Sequence, residues 1–375
     1  MHQVLQKLNS SKSLCLFLYF LIFLWGMVLR CDRFERREIG GDELYQLRYA
    51  VGPFQPFWER KSWGDCTCYP GDYLVTYPFL KLFGLHTIAN TVVPVYTFGH
   101  LEKWLLISPH ILSTILGFYF LYLLGRRYFK TLWGFLIAAS IFSFHHDLIF
   151  HSLELRPYAV LQTLPFATLY FCDKAVCNFG SLATFKKFLL GLFFIFVILF
   201  HAYGILIFGC CAAFALLYHR EKSEVKTNFK NIFIFFAVVF LIALPIYFWY
   251  ASGDPYSTFG TNQSRFNTFD YISNPLQNAV AFLKAILGNL FGNKKFYFLL
   301  AGIPIAAFLS YPEKRPQIFF FLVAVVLPIE LIFLMDVLRG YWFLQRQFVW
   351  VVSLFAFFLG WVWDTVIYTL TNPKK

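Results

Sequence analysis

From Trp104 onward the chain is a succession of apolar segments, each parted from the next by a short basic or aromatic-rich connector. Lipid offers no hydrogen-bond partner to a backbone, so runs of this kind are expected to close their hydrogen bonds internally as membrane-spanning helices. Hydrophobic residues make up 59% of the 375 and charged residues only 14%, against about 25% charged in a soluble domain. That leaves little soluble mass. No long Pro, Gly or Ser linker and no internal repeat divides the chain. The expectation is an all-α, polytopic integral membrane protein forming a single domain over residues 1–375.

Ten spans are expected, at about 14–29, 104–124, 131–150, 157–173, 187–200, 203–218, 232–251, 296–310, 317–334 and 347–363. Lys7 and Lys12 before Leu14 give the first segment the look of a signal peptide. No small-residue cleavage site follows it, and Arg30-Cys31-Asp32-Arg33 is a poor cleavage context, so it reads as an uncleaved first helix. Residues 30–103 form a long mixed-charge first loop. Within it Leu44, Leu47 and Val51 recur at helical spacing and Tyr73 to Leu85 is aromatic-rich with Pro78 interrupting it, which suggests short helices lying in the interface.

The net charge of +12 could suggest nucleic acid, but the Lys and Arg residues recur between spans and form no single patch. Arg126, Arg127, Lys130, Lys174, Lys186, Lys187, Arg220, Lys222, Lys226, Lys230, Lys314, Arg315, Lys374 and Lys375 all fall on alternate connectors, the same side as Lys7 and Lys12. By the positive-inside rule that side is cytoplasmic, which puts both termini inside and excludes a nucleic-acid partner as the cause of the charge. The first loop carries Arg33, Arg36 and Arg37, and loops longer than about 60 residues cross regardless of charge. Of the eight cysteines, Cys15, Cys172, Cys210 and Cys211 fall in apolar spans as small hydrophobes, so no disulfide framework is expected.

This topology gathers ionisable residues on the outer face. Asp42 and Glu43 follow the first span; His145, His146, Asp147, His151, Glu154 and Arg156 surround the turn between the third and fourth; His201 lies in the next outer turn. Glu330, Asp336, Arg339 and Arg346 lie at or near the outer ends of the last two spans. Pro157 suits the first helical position, so Arg156 is expected at the positive end of the fourth span. Helix-end N–H groups, macrodipole and guanidinium there together make an anion site. Arg346 is placed similarly, and two such sites near a bilayer surface suit a lipid phosphate. Each feature has a plainer alternative. An Asp-Glu pair can simply be solvated, Arg346 can snorkel to headgroups, and His146 and His151 are five residues apart on different helix faces, a poor zinc spacing.

Four stretches in order resemble a known group: Gly41-Asp42-Glu43, Tyr77-Pro78-Phe79-Leu80-Lys81-Leu82-Phe83-Gly84, Leu123-Leu124-Gly125-Arg126-Arg127-Tyr128-Phe129 and Ser152-Leu153-Glu154-Leu155-Arg156-Pro157-Tyr158-Ala159. Weaker landmarks are His201-Ala202-Tyr203-Gly204 and Gln345-Arg346-Gln347. They are similar to the lipid-phosphosugar-dependent glycosyltransferases of the GT-C superfamily, particularly bacterial members similar to protein mannosyltransferases and aminoarabinose transferases. The chain departs from them at Leu106-Ile107-Ser108-Pro109, where an Arg is expected shortly before the Pro.

The resemblance implies transfer of a sugar from a polyprenyl-phosphate donor to an extracytoplasmic acceptor that is a glycan, a lipid or a protein. It implies Asp42 as the base and Glu43 as its neighbour. Glu154, Arg156, Tyr158, His201 and Arg346 would bind substrate. A divalent metal is used by some relatives and is neither required nor excluded here. The implied setting is a bacterial plasma membrane, with membrane lipids as surroundings. A transporter or flippase of a lipid-linked saccharide is the alternative, because it too needs outer anion sites and aromatic surface.

Overall fold

The computed structural model describes residues 12–40, 43, 71–84, 99–253, 274–292, 305, 308, 315–339 and 348–372. Among them every regular element is helical. In chain order these are α1 (Lys12–Glu35), α2 (Gly71–Leu82), α3 (His100–Tyr128), α4 (Leu132–Phe144), α5 (His146–Phe150), α6 (Tyr158–Asn178), α7 (Thr184–Phe200), α8 (Gly204–His219), α9 (Ser223–Gly253) and α10 (Pro275–Phe291). There follow α11 (Arg315–Phe321), a π-helical turn over Leu322–Val326, α12 (Leu327–Arg339) and α13 (Val349–Thr371).

Five of the described helices are long and apolar enough to cross a membrane: Ser13–Glu35, His100–Tyr128, Ser223–Tyr250, Pro316–Val337 and Val349–Thr371. The expected spans at 157–173, 187–200 and 203–218 coincide with α6, α7 and α8, which are helices but shorter or less apolar than those five. The expected span at 131–150 divides. Its first part is the 13-residue α4, and His145 takes an extended conformation (φ −64°, ψ 129°) that separates α4 from the single turn of α5. Residues 296–310 lie almost wholly outside the described residues. In the first loop α2 runs straight through Pro78. The loop after α9 gives rise to α10, which opens on Pro275 at its first turn.

The bundle is arranged around α13. Buried residues make up 83% of its apolar window, against 17% for α1, so α13 lies inside and α1 outside. Its most extensive partner is α4, and the reason is local. A Cβ on Gly134 would fall 2.7 Å from the carbonyl oxygen of Gly360, and one on Gly360 would fall 2.5 Å from the Ala138 Cβ. Small residues let the two backbones touch, the usual route to close packing of apolar helices that gain little from burial in lipid. The Asp364 carboxylate fixes their register by accepting from the backbone N–H groups of Lys130 (2.8 Å) and Thr131 (2.6 Å), next to the start of α4. At the other end of α4, Arg30 of α1 donates to the carbonyls of Phe142 (2.8 Å) and Ser143 (3.0 Å), two of the last acceptors that a helix leaves open. Helices α3 and α8 flank α6, and α7 packs against both α8 and α9.

Candidate functional site

The segment Ser152–Pro157, between α5 and α6, is the hub of one end of the bundle. It is irregular backbone among helices, so its polar groups need partners from elsewhere. Arg37, just beyond α1, donates to the Leu153 carbonyl (2.6 Å), and Glu43 accepts from the Leu155 N–H (2.6 Å). Arg37 and Glu43 also pair with each other side by side, with Nη2 to Oε1 at 2.7 Å and Nη1 against Oε2. This two-pronged, charge-assisted geometry ties the first loop to the hub. Lys103 of α3 donates to the carbonyls of Glu35 (3.1 Å) and Arg37 (2.7 Å), which fixes the same turn from its other side.

The remaining hub residues face further charges. Glu154 meets His151 at 3.1 Å. The Arg33 guanidinium lies 3.5 Å above the Phe150 ring, within electrostatic reach of Glu154 and Arg37. Arg156 is buried just before α6, with its guanidinium 5.9 Å from the Tyr158 ring centre. Pro157 stands at the cap position of α6 (φ −62°, ψ −3°), one residue earlier than the spacing suggested, and its carbonyl accepts the first helical N–H, from Leu161 (2.8 Å).

Behind this layer is a second, fully enclosed one. Gly71 opens α2, where an added Cβ would fall 2.5 Å from the Cα of Phe200, so the start of α2 rests directly on the end of α7. That contact carries Asp72 inward to His110 of α3, at 3.3 Å from Nε2, and into the electrostatic surroundings of His201. His201 Nδ1 accepts from the Tyr203 N–H (3.3 Å), which leaves Nε2 to carry the ring proton. Burial first, and then the nearby Arg156 charge, push the His201 imidazole down to about 3, with Asp72 opposing. It is neutral at pH 7. Tyr203 in turn lies within electrostatic reach of Asp336 and Tyr158, so α12 also contributes to this layer.

Of the residues singled out in the sequence, Glu43, Glu154, Arg156, Tyr158 and His201 are therefore gathered at one end. Asp42 and Arg346 lie outside the described residues. Glu330 is exposed on α12, apart from the buried layer. Sequence reasoning missed His110 and gave Asp72 no role. An ionisable side chain inside an apolar span is costly enough to be functional by default, and that rule applied to His110 would have found it.

Chemically this end offers cations (Arg33, Arg37 and Arg156) interleaved with acids (Asp72, Glu43 and Glu154) beside a neutral imidazole, an arrangement suited to an anionic group that also carries hydroxyls. Its described residues supply carboxylate–imidazole pairs but no group of three metal-ligating side chains close enough to share an ion. They do not form a complete cradle for a divalent metal, and no step is assigned to one. Comparison with protein-family models, curated proteins and solved structures gave no match.

Proposed function

We propose that this protein is a membrane glycosyltransferase that moves a sugar from a polyprenyl-phosphate donor to an extracytoplasmic acceptor. The observation that carries the reading is the convergence of Glu43, Glu154, Arg156 and His201 on one end of the bundle. These residues come from three separate parts of the chain, and the resemblance singles out each of them. Ten spans, both termini in the cytoplasm and a bacterial plasma membrane complete the proposal.

In this mechanism Asp42, adjacent in sequence to the firmly held Glu43, accepts the proton of an acceptor hydroxyl. The hydroxyl oxygen forms a bond to the anomeric carbon as the bond from that carbon to the phosphate oxygen breaks. The electron pair leaves with the lipid phosphate, and the configuration inverts. That leaving group is already a stable anion, so cationic stabilisation takes the place of a general acid. Arg156 supplies it at the start of α6, and Arg346 adds to it from the approach to α13. Glu43 and Glu154 orient guanidinium groups and sugar hydroxyls, and Tyr158 and His201 wall the donor site. His201 is held neutral, which leaves its Nε2–H a hydrogen-bond donor that adds no charge.

The test is sugar transfer by washed membranes bearing Asp42→Asn, supplied with a polyprenyl-phosphate sugar. Nearly all transfer is expected to be lost while the protein still folds and binds lipid. Transfer at the wild-type rate would remove Asp42 as the base, and a protein that moves the intact lipid-linked sugar across a vesicle without breaking its phosphate bond would be a flippase instead.

A further inference from the structure

At the opposite end of the bundle Asp173 and Cys177 stand one turn apart on α6, and His219 ends α8 beside them. All three are buried, and a carboxylate oxygen, the thiol sulfur and an imidazole nitrogen lie within 4.8 Å of one another. We propose that this trio binds one divalent transition-metal ion, with zinc the best suited, as a clasp between α6 and α8. It is independent of the sugar-transfer reading.

The donor set selects the ion. Thiolate, imidazole and carboxylate together match zinc, which accepts sulfur, nitrogen and oxygen ligands in a four-coordinate shell, whereas magnesium and calcium require oxygen throughout. The spacing from Asp173 to Cys177 puts both side chains on one face of α6. His219 arrives from a helix packed along that face. Three protein ligands leave the fourth position to a water molecule. Cys177, the least buried of the three, marks the side from which water reaches it.

The surrounding groups fit such a site. Arg127 Nε meets Asp173 Oδ2, whereas His219 Nε2 meets Oδ1, and the Tyr128 hydroxyl donates to Oδ1 at 3.1 Å. Arg127 therefore orients the carboxylate from its far oxygen, and an ion would enter at Oδ1 in place of the direct contact with His219 Nε2, with Arg127 and Tyr128 giving the kind of outer support that metal ligands ordinarily have. Lys222 Nζ lies 3.7 Å from the Cys177 sulfur, where its charge favours the thiolate.

Thiolate, imidazole and carboxylate bind an ion only when deprotonated, so uptake releases protons and weakens as the pH falls.

The test uses the full chain, purified in detergent, stripped with a chelator and titrated with Co2+ as a spectroscopic stand-in for zinc. One equivalent is expected to bind with thiolate-to-cobalt charge-transfer absorption in the near ultraviolet. Cys177→Ser is expected to abolish that absorption, and His219→Gln to weaken binding at least about tenfold. Cys172→Ser, a fully buried thiol on the same helix that is not one of the ligands, is expected to leave both unchanged. Folded wild-type protein that shows no charge-transfer band overturns the proposal, and this holds even if a variant fails to fold. Persistence of the band in a monodisperse Cys177→Ser protein overturns it equally.

Discussion

The two ends of the bundle hold charge in different ways. At the hub end the acids and arginines are distributed over several separate contacts. Glu43 is with Arg37, Glu154 with His151, Asp72 with His110, and Asp336 lies near Tyr203. At the opposite end Arg127, Tyr128 and His219 all converge on the single carboxylate of Asp173. A carboxylate with so many partners is a clasp between helices. A dispersed set of acids and cations can instead reorganise around a charged ligand, because no single contact fixes all of it.

Substitutions can break or sharpen that contrast. The largest effect on stability is expected at the concentrated end, where Asp173→Ala leaves the buried His219 without its counter-charge and Tyr128 and the exposed Arg127 without their shared acceptor, and costs about 3–5 kcal/mol. Thermal unfolding in detergent measures it, and the folded fraction should transfer sugar at close to the wild-type rate. A stable but inactive Asp173→Ala protein would reverse the roles of the two ends.

Glu43→Ala is expected to cost roughly 3 kcal/mol, since Arg37 and the Leu155 N–H lose one shared acceptor. Unlike the previous variant it should also lower transfer per folded molecule, by at least about tenfold, because the hub is no longer positioned. Comparing activity with melting temperature in the two variants separates a clasp from a site.

Between the ends, Gly360→Ala tests whether the close contact of α13 with α4 is what keeps the hub and the clasp in one body. The added methyl meets Ala138 and the Gly134 carbonyl, and a loss of about 1–3 kcal/mol is expected in the same melts. A neutral result would mean that the two helices can separate slightly without consequence for either end.

Near neutral pH the smallest effect is a pH dependence, which grows as the pH falls. The imidazole of His201 is neutral in the folded protein down to about 3, whereas an unfolded histidine takes up its proton near 6.5. Between those values the unfolded chain binds the extra proton, so this residue makes stability fall as the pH is lowered through that window, by at most about 1.4 kcal/mol per pH unit. His201→Gln should flatten the melting temperature against pH from 6.5 to 4. An unchanged slope would mean that the proton is taken up elsewhere at the hub.

Much of this architecture is legible in the sequence, because it follows from one-dimensional rules. Continuous apolar runs specify helices, and the helix at Val349–Thr371 coincides with a span read from hydrophobicity alone. The pairing of Arg156 with Pro157 at the start of α6 was readable because a proline restricts its neighbours and lacks a donor that a helix start would leave unbonded anyway. The break at His145 was not readable. It lies in Ser143-Phe144-His145-His146-Asp147 with no Gly or Pro beside it, and its extended backbone leads directly into the turn that supplies the hub.

By itself, then, the sequence determined the helical class, the apolar segments and which residues are too polar to be casual in them, since hydrophobicity and local backbone restriction act along the chain. Only the tertiary structure decided the partners. That Glu43 holds the Leu155 N–H, that Asp72 reaches His110 and that Asp173, Cys177 and His219 meet all depend on distances between helices remote in sequence. How closely helices approach depends in part on residues such as Gly71, against Phe200, and Gly134 and Gly360, against each other, which periodicity does not encode.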